Sequence, residues 1–195
     1  IDTIHDIPQT GFLVDKQEEI PWGQNWRTYT LASHEECLKS KKAFARNFTT
    51  IEVESNKLIA GRIVQETEGR LVVMNPQIPT LKDKELDAIY ELPFTRLPHP
   101  KYKKRGPIPA YEMIKFSVNV HRGCFGGCSF CTISAHQGKF ISSRSEKSVM
   151  REVGQISRMP EFKGHISDLG GPSANMYRME GKDLSICGNC TRPSC

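Results

Sequence analysis

Three cysteines stand close together in the second half of the chain: Cys124, Cys128 and Cys131. Three and then two residues separate them, so their thiolates can converge on one centre only where the backbone curls tightly. Glycine adopts the positive φ angles that such a curl needs, and it occupies three positions of the same stretch: Gly123, Gly126 and Gly127. The spacing and the glycines together predict a wrapped metal site.

The number of ligands narrows the choice of metal. Soft thiolates select zinc, copper(I) or an iron-sulfur cluster. A structural zinc ion needs a fourth protein ligand, and only His121 and His136 are close in sequence. If neither histidine binds, a cubane cluster keeps one iron without a cysteine, open to a small molecule. From the residues alone, zinc, an iron-sulfur cluster and a disulfide-closed loop remain open.

A second group of cysteines lies at the end of the chain: Cys187, Cys190 and Cys195. A second metal centre, a zinc site completed by residues after Cys195, and a reactive cysteine-rich loop all remain open for this group. The seventh cysteine, Cys37, stands alone and is predicted to be a small buried hydrophobic residue. An odd number of cysteines fits a reducing compartment better than a disulfide framework.

The cysteine motif follows a predicted strand. Residues 115–120 alternate polar and apolar side chains, which is typical of a strand, and residues 164–169 form a second one that ends at Gly170 and Gly171. Between them a helix is expected to begin at a capping serine, Ser143 or Ser145, and to end near residue 158. Its apolar stripe comprises Val149, Val153 and Ile156. Strand, helix and strand predict a parallel βαβ unit with its site at the carboxyl ends of the strands.

The first 92 residues are predicted to form a small α+β region. Ser33 and Glu36 form a capping-box pattern that starts a helix over residues 34–46, with Cys37, Leu38 and Phe44 as its apolar positions. Residues 58–64 and 70–74 read as the two strands of a hairpin. Residues 82–92 then form a short helix whose buried side carries Leu86, Ile89 and Tyr90.

A proline-rich basic connector over residues 93–114 links this region to the third part of the chain, residues 115–195. The net charge of +5 is local, because residues 96–122 carry +6 and the rest sums to −1. We take this stretch, as a hypothesis, to suit an anionic substrate or an electron donor. The chain has no apolar run near the about 20 residues of a membrane span, and its first residues lack a secretory signal. A cytoplasmic protein without a membrane partner is expected.

The motif has an aromatic residue before its third cysteine and resembles the signature of the radical S-adenosylmethionine superfamily. Four further segments resemble its YgiQ-type branch: Tyr90-Glu91-Leu92-Pro93-Phe94-Thr95-Arg96, Pro98-His99-Pro100, Phe116-Ser117-Val118-Asn119, and Ile166-Ser167-Asp168-Leu169-Gly170-Gly171-Pro172. The resemblance is strong over residues 81–177 and looser before them.

The resemblance implies a [4Fe-4S] cluster on Cys124, Cys128 and Cys131, with S-adenosylmethionine on the fourth iron. It implies reductive cleavage to a 5′-deoxyadenosyl radical, fed by a flavodoxin- or ferredoxin-like electron donor, and it leaves the substrate and the catalytic residues unassigned. By the same resemblance, the cofactor-binding residues are Phe130, near the adenine, with Gly170 and Gly171. Pro172 stands where the family has an acid, so an acidic contact does not carry over, and Asp168 is a weaker candidate for it.

The resemblance also implies the first βαβ units of a TIM-type barrel, an α/β fold. A full barrel has about 250 residues in eight units, whereas residues 116–195 number 80. We therefore expect an incomplete barrel and read the chain as an excerpt of a larger protein. The alternative is a zinc-stabilised nucleic-acid-binding module built on the basic surface. Few aromatic residues are available there for base stacking, namely Tyr102 and Tyr111.

Overall fold

The computed structural model describes residues 4–16, 25–192, 194 and 195, and within these ranges the chain is mixed α/β. Its strands and α-helices are, in chain order, β1 (Gly11–Asp15), β2 (Thr28–Thr30), α1 (His34–Lys39), α2 (Lys41–Ser55), β3 (Arg62–Thr67), β4 (Arg70–Met74), α3 (Asp83–Tyr90), α4 (Pro109–Ile114), β5 (Ser117–Asn119), β6 (His121–Arg122), α5 (Ile133–Gln137), β7 (Ser142–Ser143), α6 (Glu146–Ile156), β8 (Asp168–Gly170) and α7 (Leu184–Asn189). Short 3-10 turns lie at Ile4–Asp6 and Pro100–Tyr102.

The chain divides into two compact units. The first unit comprises Ile1–Thr80, Phe125–Lys139 and Gly181–Cys195. The second unit comprises Leu81–Cys124 and Phe140–Glu180. The predicted division at residues 92 and 114 rests on composition and stays a prediction.

A four-stranded sheet forms the centre of the first unit, in the order β1-β4-β3-β2. Strands β3 and β4 are antiparallel and form the predicted hairpin, although β3 begins at Arg62, later than expected. Glu68 and Gly69, the two turn residues, have φ angles of 49° and 74°. Positive φ at both positions matches the right-handed twist of the two strands, which makes such short turns the favoured hairpin connection. Three valines form the core of the sheet: Val14, Val64 and Val73.

The helix predicted over residues 34–46 is wrong in its extent, because the structure has two helices there. Ser40 is extended, with φ −134° and ψ 105°, and its side chain accepts a hydrogen bond from the Ala43 N–H, so it ends α1 and caps α2. The break resets the helical phase, and Leu38 and Phe44 are 74% and 63% exposed instead of buried.

Polar side chains form part of the buried side of α2. Asn47 hydrogen-bonds the backbone N–H and carbonyl of Ala32, and a Glu54 carboxylate oxygen accepts the Gly61 N–H. Because these partners satisfy them, the amide and the carboxylate can be buried. Cys37 is half-buried, and its sulfur accepts a hydrogen bond from the Asn47 amide at 3.0 Å.

The second unit contains the predicted parallel βαβ arrangement. Strands β5 and β8 pair in parallel, with Ser117 opposite Asp168 and Asn119 opposite Gly170. Helix α6 lies between them in sequence and is capped by Ser145, whose side chain accepts the Ser148 N–H at 3.1 Å. The core joins strand and helix residues: Val118, Val120, Val149 and Ile156. The expected apolar stripe is confirmed, with Val153 packed against this core.

Two further features of the second unit differ from expectation. The connector ends in a helix, α4, that begins at Pro109, because the fixed φ of proline and its missing N–H suit the first helical position. In α3, Leu86 is buried as predicted, whereas Ile89 is half exposed. Within the described ranges, the parallel sheet has two strands and no barrel closes. The partial TIM-type barrel therefore stays a prediction.

Candidate metal centre

Cys124 lies at the end of a strand pair in the second unit. Strand β6 pairs antiparallel with β7, with His121 opposite Ser143. Cys124 follows β6 and is buried, with 7% of its surface exposed. Gly123 has φ 92°, and a Cβ atom there would lie 2.3 Å from the carbonyl oxygen of Phe140. Only glycine fits this position, which fixes the backbone immediately before the first predicted ligand.

Cys128 and Cys131 belong to the first unit, on a short turn. The Cys131 N–H donates to the Cys128 carbonyl at 3.0 Å, and Gly127 adopts φ 60°, as predicted for a curled backbone. Cys128 is exposed and Cys131 is half-buried. All seven cysteines lie in the described ranges, and none forms a disulfide there.

The predicted ligands are divided between the two units, with Cys124 in the second and with Cys128 and Cys131 in the first. In the described part of the chain, no three or more histidine, cysteine, aspartate or glutamate side chains are arranged to hold a metal ion. The donor chemistry fits an iron-sulfur cluster, because three cysteines without disulfides lie on a glycine-curled loop. The ligand set itself stays a prediction.

The two histidines considered as a fourth zinc ligand have different surroundings. His136, in α5, is exposed. His121 is buried, its Nε2 accepts the Met176 N–H at 3.0 Å, and the Ala174 carbonyl oxygen lies 3.2 Å from the same atom. His121 therefore serves to hold the segment after β8.

The predicted cofactor glycines end β8. The Gly170 carbonyl accepts the Val120 N–H at 2.8 Å. A Cβ on Gly171 would lie 1.9 Å from Nε2 of His121, so packing alone requires glycine there. Phe130, the residue predicted near the adenine, is 89% exposed. The contacts of Gly170 and Gly171 give each a structural role, and the cofactor roles of all three residues stay predictions.

A buried ion-pair network, which the sequence interpretation missed, supports the strand before the cysteines. Glu152 of α6 pairs with both Arg96 and Arg144. The Arg96 guanidinium also donates to the Ser117 carbonyl at 2.8 Å, and that of Arg144 donates to the Asn119 carbonyl at 2.9 Å. The two arginines therefore hold both ends of β5.

The segment 90–96, which carries part of the family resemblance, has a physical role in this network. The Arg144 guanidinium lies 4.3 Å from the ring centroid of Tyr90, a cation–π contact. A cavity of about 430 Å³ lies between this segment and α6. The two arginines and Glu152 gave no sequence signal of burial, because burial of such side chains depends on partners far along the chain.

The terminal cysteines pack against the cysteine loop inside the first unit. The Cys195 N–H donates to the Phe125 carbonyl at 3.2 Å, and a Cβ on Gly127 would lie 2.6 Å from the side chain of Ser194. Lys139 is buried, and its Nζ donates to Sγ of Cys190 at 3.2 Å. The pKa of Cys190 is lowered by a hydrogen bond from the Arg192 backbone and by the Lys139 ammonium.

The basic connector exposes its charges. Lys103, Lys104 and Arg105 are exposed. Lys115 instead contacts carboxylate oxygens of Glu112 and Glu161 at 2.7 Å and 2.5 Å, and these two groups raise its pKa.

None of the helices in the described ranges combines the length and hydropathy of a membrane span.

Comparison with known proteins identifies the class. Residues 1–117 match the family model described as "Radical SAM N-terminal", which covers more than half of the chain and includes the region where the sequence resemblance was loose. No solved structure matches the chain at a significant level.

Curated relatives narrow the class further. A "UPF0313 protein" of Bacteroides thetaiotaomicron is 60% identical over 189 residues, which is 97% of this chain and 30% of the relative. One from Porphyromonas gingivalis is 56% identical over 194 residues, which is 100% of this chain and 30% of the relative. One from Methanocella arvoryzae is 46% identical over 155 residues, which is 80% of this chain and 26% of the relative. The chain therefore belongs to the radical SAM superfamily, in its YgiQ-type (UPF0313) family. It spans about 30% of the length of the first two relatives.

Proposed function

We propose that this chain provides the cluster-binding part of a radical SAM enzyme, in which Cys124, Cys128 and Cys131 hold a [4Fe-4S] cluster and S-adenosylmethionine binds the fourth iron. One observation carries the proposal: in a chain of this family, the motif follows β5, the first strand of a parallel βαβ unit, and the short strand β6, and its loop contains glycines at positive φ. Bound cluster and cofactor would supply the reductive cleavage that yields methionine and a 5′-deoxyadenosyl radical for hydrogen abstraction from a substrate.

The residues of the chain have distinct tasks in this proposal. Cys124 provides a ligand position that the fold sets in advance, while the exposed Cys128 turn is open to the cluster. Phe125, Phe130 and Ile133 would shield it from water, which helps to set its reduction potential. Phe130, at 89% exposure, has its ring available to cover the adenine. Gly170 and Gly171 offer backbone at a strand end, where parallel folds place their ligands.

The test is anaerobic reconstitution of the complete natural protein with iron and sulfide, followed by S-adenosylmethionine and dithionite. We expect 5′-deoxyadenosine and methionine to form in equal amounts. Cys128→Ala should abolish both products, and Cys37→Ala, a matched change outside the motif, should leave them at the wild-type level. A protein that binds zinc at one ion per chain, takes up no iron and binds nucleic acid would instead support the zinc module.

The basic connector carries a second part of the proposal, concerning the partner. Its exposed residues Lys103, Lys104 and Arg105 would attract an anionic substrate or a flavodoxin- or ferredoxin-like donor. Neutralising all three should weaken the binding of reduced flavodoxin and flatten its salt dependence. Unchanged affinity and salt dependence would remove the connector from the proposal and leave the cluster untouched.

A further inference from the structure

A hydroxyl group lies against the sulfur of one predicted cluster ligand. The Oγ–H of Ser173 donates to Sγ of Cys124, and the two atoms are 3.1 Å apart. Both residues belong to the second unit, and Cys124 is buried there. The contact is therefore part of one compact body and joins the segment after β8 to the residue at the start of the cysteine loop.

Contacts on both sides hold Ser173 in place. Before it, the Gly170 carbonyl accepts the Val120 N–H, and Gly171 packs so closely against the ring of His121 that a Cβ there would lie 1.9 Å from Nε2. After it, the Met176 N–H donates to Nε2 of the same ring at 3.0 Å. His121 thus anchors the segment at two points that flank the serine. The hydroxyl therefore lies on a segment that is held on both sides, although Ser173 itself is exposed.

Such a hydrogen bond has a definite effect on a bound cluster. Hydrogen bonds to the sulfurs are among the factors that set the reduction potential. Reduction adds one electron and makes the thiolate ligands more negative, and hydrogen bonds to charged acceptors are stronger than those to neutral ones. A donor to a ligand sulfur therefore stabilises the reduced state more than the oxidised state, which raises the potential.

We propose that Ser173 tunes the reduction potential of the cluster through its hydrogen bond to Cys124, and that His121 positions the segment that presents it. The inference rests on the proposed function, because it needs the cluster on Cys124. The step affected is a one-electron reduction of the cluster from the 2+ to the 1+ state by a low-potential donor such as dithionite. No bond to Ser173 forms or breaks, and the serine keeps its proton.

The experiment compares isosteric side chains at this position in the complete natural protein, reconstituted anaerobically. Ser173→Thr keeps the hydroxyl, and Ser173→Val replaces it with a methyl group of the same shape. Ser157→Ala removes a hydroxyl of the same unit that hydrogen-bonds the Gly154 carbonyl. The readouts are iron and sulfide content and the midpoint potential, from a redox titration followed by EPR.

We expect equal iron in all four proteins. At the wild-type midpoint, the ratio of reduced to oxidised cluster should fall roughly threefold or more in Ser173→Val, because a charge-assisted bond is lost. It should be unchanged in Ser173→Thr and Ser157→Ala. Equal midpoints for the threonine and valine variants would overturn the inference, and so would a loss of iron common to both, since Ser173 would then act only through shape. A wild-type protein that takes up no cluster would overturn the proposed function, and this inference with it.

Discussion

The two ends of the cysteine motif are supported in different ways. Cys124 is buried at the end of a strand, with Gly123 against the backbone of Phe140 and the Ser173 hydroxyl on its sulfur. Cys128 is exposed, and its carbonyl accepts a hydrogen bond from the Cys131 N–H on the same short turn. The first predicted ligand is positioned by the fold, and the other two lie on a turn that a ligand can reach and order.

The residues around the two cysteines are also supported by different contacts. The ion-pair network of Arg96, Arg144 and Glu152 fixes the carbonyls of β5, which is followed by β6 and then Cys124. The Cys128 turn has support of another kind, from the terminal cysteine segment in its own unit. Substitutions in the ion-pair network should therefore affect folding, and substitutions at Cys128 should affect ligand binding.

The largest expected effect concerns Glu152. Glu152→Gln would leave two arginines, one of them fully buried, without their carboxylate. Breaking a buried pair in this way costs about 3–5 kcal/mol. Urea unfolding should show a loss of this size. Glu91→Gln, which breaks the exposed pair with Arg151, should cost about 0–1 kcal/mol. Similar losses in the two variants would mean that the network does not support β5.

A smaller effect is expected at the glycine before Cys124. Gly123→Ala places a Cβ 2.3 Å from a backbone oxygen and also strains φ, and together these should cost about 2–4 kcal/mol. Gly164→Ala is the matched control, because Gly164 has φ 86° with no atom within 4 Å of a Cβ. It should show only the backbone part, about 1–2 kcal/mol. Equal losses by thermal unfolding would show that the loop root can shift.

Replacing each cysteine in the metal-free protein tests whether the fold supports the two positions differently. Cys124→Ala removes a buried sulfur and should lower the unfolding free energy of the metal-free protein by about 1–2 kcal/mol. Cys128→Ala changes an exposed side chain and should stay within about 0.5 kcal/mol of the wild type. If both variants unfold like the wild type in urea, Cys124 is no better supported than Cys128.

The smallest effect concerns the terminal segment. The folded state lowers the pKa of Cys190, so its thiolate forms at lower pH than that of an ordinary cysteine. The stability it contributes is present above the ordinary pKa and is lost as pH falls through the lowered one. Lys139→Met removes the ammonium, so iodoacetamide labelling of Cys190 at pH 7 should slow several-fold, since the thiolate is the reactive form. Labelling of Cys195 in the same sample is the control, and an unchanged rate at Cys190 would remove Lys139 as the cause.

The comparison also shows which parts of the structure were predictable. Alternation in β5, the capping serine and the stripe of α6 are local patterns, and they predicted the parallel βαβ unit correctly. Ser40 separates α1 from α2, and its side chain accepts the Ala43 N–H. Serine favours caps and turns by such local hydrogen bonds, and the pattern of apolar residues therefore did not reveal the break.

The candidate site was predictable in its residues and not in its surroundings. Spacing and glycines indicated Cys124, Cys128 and Cys131, but no local pattern distinguishes the buried first cysteine from the exposed second. The contacts of Ser173 and His121 join residues about 50 positions apart. Sequence periodicity carries no information about such pairs, because they depend on how β6 and the end of β8 meet.

The measurement that tests the central claim most directly is the iron and sulfide content of the anaerobically reconstituted protein and of its Cys128→Ala variant. We expect about four iron and four sulfide per chain in the wild type, with absorbance near ~400 nm. Cys128→Ala should lose the cluster while keeping the unfolding free energy of the metal-free wild type. A colourless wild-type protein that holds stoichiometric zinc, or a variant that keeps its full iron content, would contradict it.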